Sequence, residues 1–179
     1  MKKIFLLFAI SVSILLILPG CGTRYPDGGV FENSKELVAS VKSDVSEITH
    51  EELRKLMEDC ELRVLIDVRE PASFEEGYIN MPDEEDEYPF PETYTVNIPR
   101  GLIEFKIGSA DYWDNDLWVE MPAKDELIVV YCQTGGRSAL AVHAMQQLGY
   151  TNVHSLQGGY RIWLDPSLPL EETESDSGG

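Results

Sequence analysis

Two short runs, Val64 to Asp67 and Leu127 to Tyr131, are nearly all apolar where a half-exposed strand would alternate, so they predict buried parallel strands. Thr95 to Ile98 and Val153 to Leu156 are further strand candidates, and Val45 to Ile48 is a brief one ahead of them. Helices fall between. Thr49 stands three residues before Glu52, the arrangement of a capping box, and predicts a helix running to about Asp59. Arg137 to Leu148 is apolar at helical spacing, and Gly149 is placed to end it. Ser34 to Ser43 reads as a short helix. Strands alternating with helices predict an α/β domain whose parallel sheet is covered on both faces.

Two stretches fit that scheme poorly. Residues 81–93 hold Asp83, Glu84, Glu85, Asp86, Glu87 and three prolines, which predicts a loop. From Asp111 to Glu120 acids alternate with Tyr112, Trp113 and Trp118, and the expectation is a helix that packs its aromatics inward.

The ends add an address. Lys2 and Lys3 precede an apolar stretch from Ile4 to Leu18, too short for a membrane span, followed by Leu18-Pro19-Gly20-Cys21. That layout is a secretory signal, and Cys21 after a small residue resembles the lipobox of bacterial lipoproteins. The expected division is therefore a signal peptide over 1–20, a lipidated tether and short linker over 21–44, the domain over 45–165 with an acidic insertion at 81–93, and a disordered acidic tail over 166–179. The domain is expected in the cell envelope, touching membrane through the lipid on Cys21 alone. A formal net charge of −18 repels nucleic acid, which is excluded as a partner. His50, His143 and His154 stand apart with no zinc-site spacing, so no metal is expected. With Cys21 lipidated, Cys60 and Cys132 remain, too few for a disulfide scaffold; Cys60 reads as a small buried residue at the start of its strand.

The chemistry lies in Tyr131-Cys132-Gln133-Thr134-Gly135-Gly136-Arg137-Ser138. A cysteine at the carboxyl end of a buried strand stands where open α/β sheets place their sites. Gly135 and Gly136 let the following loop fold tightly, so that backbone N–H groups from Gln133 to Ser138 surround the sulfur, and the next helix aims its positive end there. Such a cradle suits a negatively charged sulfur.

Cys132 to Arg137 resembles the six-residue active-site loop of the rhodanese superfamily. Leu65-Ile66-Asp67-Val68-Arg69-Glu70, Phe74-Glu75-Glu76-Gly77-Tyr78-Ile79, Asn97-Ile98-Pro99, and Asn152-Val153 through Gly158-Gly159 to Trp163 are similar to four further motifs of that superfamily, in the same order. The resemblance implies a rhodanese-like fold, a small five-stranded parallel sheet with helices on both faces. It also implies a sulfurtransferase in which Cys132 carries a persulfide, taking sulfur from a small sulfur-containing donor and yielding it to cyanide, a thiol or a protein thiol, with no cofactor. In that scheme Gln133, Thr134, Gly135, Gly136, Arg137 and Ser138 bind substrate, and Asp67 and Arg69 support the loop. Tyr78 departs from the histidine usual at its position, and the 81–93 segment is an insertion.

Two other functions use related parts. A cysteine phosphatase or arsenate reductase shares the strand, loop and helix but carries five residues between cysteine and arginine, where Gln133 to Gly136 supplies four. A non-catalytic binding or redox-sensing module would keep the fold and oxidise or persulfidate Cys132 as a signal. The strong negative charge predicts slow encounter with thiosulfate dianion and favours a neutral, polysulfide or protein-bound donor.

Overall fold

A computed structural model describes residues 29–83, 85 and 87–170. The leader, Cys21 and the end of the acidic tail lie outside the described residues. Five parallel strands, β1 (Glu47–Ile48), β2 (Val64–Asp67), β3 (Tyr94–Asn97), β4 (Ile128–Tyr131) and β5 (Val153–Leu156), form one sheet in the order β1-β5-β4-β2-β3. Helices α1 (Ser34–Lys42), α2 (His50–Glu58), α3 (Pro71–Glu75), α4 (Ile103–Lys106), α5 (Ala110–Tyr112), α6 (Gly136–Gln147) and α7 (Gly159–Leu164) connect and cover it.

Strand alternation divides the core in two. Val64, Ile66, Ile128, Val130 and Cys132 point to the face covered by α1, α4 and α6, whereas Leu65, Val129 and Tyr131 point to the face covered by α2 and α7. Both faces are buried, which is why β2 and β4 lack polar alternation. Each large side chain so removed from water contributes about 1.5–3 kcal/mol. On α6 the buried residues are mostly small, Ser138, Ala139, Ala141 and Ala144, so this helix lies close against the central strands. The Thr49 capping box forms as expected, with Thr49 Oγ1 accepting from Glu52 N at 3.2 Å and Glu52 Oε2 accepting from Thr49 N at 2.8 Å. Helix α1 packs on α6 and buries Val41, so it is part of the packed body.

Three expectations change. The third strand begins at Tyr94, one residue earlier than its apolar pattern indicated, because Tyr94 N already donates to Arg63 O at 2.7 Å although its side chain is exposed. Cys60 is exposed: the exit from α2 takes a left-handed turn there, φ +58°, and the first buried residue before β2 is Leu62. The aromatic group of residues 112–118 splits. Trp113 is fully buried and donates Nε1–H to Ile107 O at 3.0 Å, and Tyr112 is half-buried. Trp118 is 83% exposed, because the single helical turn of π type over Trp113–Leu117 ends in a left-handed residue that turns its ring outward.

Candidate active site

Cys132 follows the last residue of β4, and its side chain is almost completely buried against the α6 face. The chain then turns sharply through Gly135, whose φ of +95° is accessible to glycine at little cost. That turn brings Gly135 N–H back to the sulfur, donating to Cys132 Sγ at 3.2 Å. Ser138, in the first turn of α6, places Oγ at 3.7 Å from the same sulfur, 3.1 Å from Gly135 O and 2.9 Å from Ser155 Oγ on β5. Of the expected ring of loop donors, Gly135 N–H and the Ser138 hydroxyl reach the sulfur. Gln133 is exposed at the rim, and Thr134 and Gly136 are half-buried.

Arg137 is half-buried at the start of α6 and has no hydrogen-bond or ion-pair partner among the described residues. A guanidinium beside unsatisfied N–H groups at a helix start is a place for an anion.

The loop is braced from behind by α7. Tyr160 N donates to Cys132 O at 2.8 Å and Arg161 N to Gln133 O at 3.1 Å, so the first turn of α7 satisfies the loop's buried carbonyls. A second cation also stands close. Lys42 Nζ would lie 3.4 Å from a Cβ placed on Gly135, and it is held by Glu47 at 3.3 Å. Nothing in the pattern around Lys42 pointed to the site; only the packing of α1 brings it there.

Asp67 and Arg69 form a buried pair beside the loop. Arg69 donates to Asp67 through its backbone N at 2.8 Å and through its guanidinium at 2.6–3.1 Å, and reaches Gly77 O at 2.7 Å. Its guanidinium lies 4.1 Å from the centre of the Tyr160 ring. Neither residue contacts the sulfur. They fix the turn after β2, whose Val68 N donates to Tyr131 O at 2.9 Å, next to Cys132. Burial pushes the Tyr131 phenol far above its ordinary value, so it stays protonated; its oxygen accepts from Ile79 N at 3.2 Å. Tyr78 stacks on Phe74 at 4.3 Å instead of entering the site. Among the described residues no three His, Cys, Asp or Glu side chains converge as a metal site.

A cysteine at a parallel strand's carboxyl end, in a glycine-turned loop that runs into a helix, places this protein among α/β domains with a cysteine-bearing loop at the end of the sheet. The Rhodanese-like domain family matches residues 49–166, and the chain belongs to that family. A sulfurtransferase of Allochromatium vinosum is 32% identical over 130 residues, 73% of this chain and 98% of that protein. Thiosulfate sulfurtransferase 18 of Arabidopsis thaliana is 28% identical over 117 residues, covering 62% of this chain and 74% of that one. Among solved structures, a human single-domain sulfurtransferase superposes with TM-score 0.56 at 27% identity, covering 68% of this chain and 97% of that one. A Rhodopseudomonas palustris protein of unknown function, described as a candidate tyrosine phosphatase, gives TM-score 0.57 at 25% identity, covering 79% of this chain and 96% of that one.

Proposed function

We propose that the protein is a sulfurtransferase that carries sulfane sulfur as a persulfide on Cys132. The observation that carries this reading is the Gly135 N–H at 3.2 Å from Cys132 Sγ, at the start of the helix that carries Arg137. The Cys132 thiolate attacks the terminal sulfur of a donor, forming a new S–S bond. The donor's own bond to that sulfur breaks, and its remainder, sulfite where the donor is thiosulfate, leaves with the electron pair. Gly135 N–H and the Ser138 hydroxyl stabilise the negative sulfur before and after transfer. An acceptor such as cyanide or a thiolate then attacks the outer sulfur, and the Cys132 thiolate is restored. Where the donor is anionic, Arg137 holds its charged end.

The overall charge of −18 supports a neutral, polysulfide or protein-bound donor over free thiosulfate. Four residues between Cys132 and Arg137 make a smaller ring than a phosphatase loop and suit one sulfur atom better than a phosphoryl group. The leader pattern supports export and attachment through lipid on Cys21, and Cys21→Ala would then release the protein from the membrane fraction.

The test is intact mass after incubation with polysulfide and, separately, thiosulfate, beside Cys132→Ser. Gain of one sulfur, reversed by cyanide and absent from the variant, supports the reading. No gain with either donor, together with hydrolysis of para-nitrophenyl phosphate, would replace it with the phosphatase reading; no activity in either assay would leave a binding or sensing module.

A further inference from the structure

Strand β3 closes one edge of the sheet. Its parallel register turns Tyr94, Val96 and Ile98 toward β2, with Tyr94 N donating to Arg63 O at 2.7 Å and Ile98 N to Asp67 O at 3.0 Å. The main-chain groups of Thr95 and Asn97 therefore point away from the sheet. Tyr112 Oη donates to Asn97 O at 3.3 Å, and no described residue pairs with the outward N–H groups of Thr95 and Asn97. An open strand edge is a template for another strand, and folded proteins ordinarily cover or charge it.

Here the edge lies along a groove of about 400 Å³. Phe74, Tyr78, Tyr88 and Pro91 form one wall, and Asp116, Leu117 and Val119 the other. The first wall is built in place. Asn80, in a left-handed conformation, donates Nδ2 to Phe90 O at 2.9 Å and Thr93 O at 2.8 Å and accepts from Phe90 N at 2.8 Å. Beside the second wall Trp118 is held outward at φ +56°, its N–H and that of Val119 both donating to Trp113 O. An exposed tryptophan in a conformation that side chains rarely adopt has no part in the core, and such residues anchor interfaces.

Charge selects the occupant. The segments that form the walls, residues 74–97 and 111–120, contain no Lys, Arg or His, and they carry exposed Glu87, Glu92, Asp114, Asp116 and Glu120. Among the described residues three cations touch these segments: Lys106, 4.0 Å from Asp116, Arg63, which donates to Glu120 O at 3.0 Å and is held by Glu126, and the buried Arg69, which donates to Gly77 O at 2.7 Å and is held by Asp67. A second copy would bring like charge against like charge, and residues 171–179 of this chain carry four acids and no base. We propose that the groove binds an extended, basic segment of a partner protein, which adds a strand to β3 through Thr95 and Asn97 and places Lys or Arg side chains against the acidic walls. The groove opens at Asn97 toward the end of the sheet that carries Cys132. An added strand would be three strand spacings from β4, roughly 14 Å, a span of four or five extended residues. That the partner exchanges sulfur with Cys132 rests on the reading above; the docking does not.

The test uses the isotope-labelled full chain and three blocked nonapeptides: one alternating lysine and valine, one with glutamate for lysine, and one lysine peptide N-methylated at alternate residues. The expected result is displacement of the Thr95 and Asn97 amide signals and the Trp118 indole signal by the lysine peptide, with an affinity about ten-fold or more above the other two. Asp116→Lys and Trp118→Ala, both exposed positions, should each weaken it without changing sulfur loading of Cys132 by polysulfide. Equal affinity for the N-methylated peptide, or shifts that bypass Thr95 and Asn97, would show charge attraction alone and overturn the proposal. Concentration-dependent broadening of those amides without peptide would give the edge to a second copy and overturn the choice of occupant. Loss of sulfur loading in the parent protein with peptide binding intact would remove the sulfur-transfer reading and leave the docking site standing.

Discussion

Gly159 presses against the carbonyl of Cys132: a Cβ placed on it would come 2.4 Å from Cys132 O and 2.8 Å from the Gln133 carbonyl carbon. Both obstacles are backbone of the Cys132 loop, and Gly159 also holds φ +62°. Gly159→Ala is therefore expected to displace the loop and cost about 3 kcal/mol or more, combining a disfavoured conformation with overpacking. Gly101→Ala, where no atom lies within 4 Å, should be within about 0.5 kcal/mol of the parent. Thermal melts of the two variants check this, and equal melting temperatures would refute the account of the loop's bracing.

The hydroxyl of Ser138 has one proton and three neighbours, Cys132 Sγ, Gly135 O and Ser155 Oγ. When the sulfur is negative the proton is best used there, and Ser155 can donate to Ser138 in turn. Ser155→Ala should cost about 1 kcal/mol and slow sulfur transfer only slightly, since Ser138 keeps two partners. Ser138→Ala removes the donor itself and is expected to lower the transfer rate about ten-fold or more. Single-turnover rates of sulfur loading distinguish the two; similar losses would mean that the pair acts only in packing.

The central strands and the Cys132 loop were legible because a strand buried on both faces has no polar alternation and because a glycine-rich turn after it has few other uses. Thr49 and Glu52 announced their cap by spacing alone. Cys60 and Trp118 were misplaced for one reason: both occupy left-handed exits from helical turns, where side-chain direction is set by one backbone torsion and not by hydrophobicity. Ser155, Lys42 and Gly159 reach the site from β5, α1 and α7, far from Cys132 in sequence. Ser155 and Gly159 stand inside the 152–163 motif, but which atoms they and Lys42 touch is tertiary and is not set by local spacing.

Asp67 is fully buried and Arg69 nearly so, and the pair holds the turn beside Cys132 without touching its sulfur. Asp67→Asn leaves the guanidinium buried with Gly77 O as its remaining strong acceptor. The expected loss is about 3–5 kcal/mol of stability. The folded fraction, assayed at low temperature, should load sulfur at a rate within about three-fold of the parent. A normal melting temperature with a lost rate would instead give Asp67 a role in chemistry.

Arg137 has no hydrogen-bond or ion-pair partner among the described residues, so Arg137→Ala should change stability by less than about 0.5 kcal/mol. On the proposed mechanism its effect is expected on substrate. With thiosulfate as donor KM should rise about ten-fold or more, whereas loading by a neutral organic trisulfide should change little. Equal losses with both donors would assign Arg137 to bracing the loop.

Arg63 grips Glu126 with Nε at 2.7 Å and a second nitrogen at 3.0 Å, and also donates to Glu120 O at 3.0 Å, tying the segment before β4 to the start of β2. The Arg63 hydrogen bonds, aided by the Ala123 N–H and opposed by burial, hold the Glu126 carboxyl below its ordinary value. A carboxyl lowered on folding binds fewer protons in the folded than in the unfolded state. Its stabilisation is therefore complete above the unfolded value, about 4.3, and is lost as pH falls through the folded one. Glu126→Gln is expected to cost about 1 kcal/mol at neutral pH, a modest figure because both side chains keep some exposure. Urea denaturation from neutral pH downward should show the gap between parent and variant closing below the ordinary carboxylate value. A gap that stays constant with pH would mean that the contact stabilises through shape and not through charge.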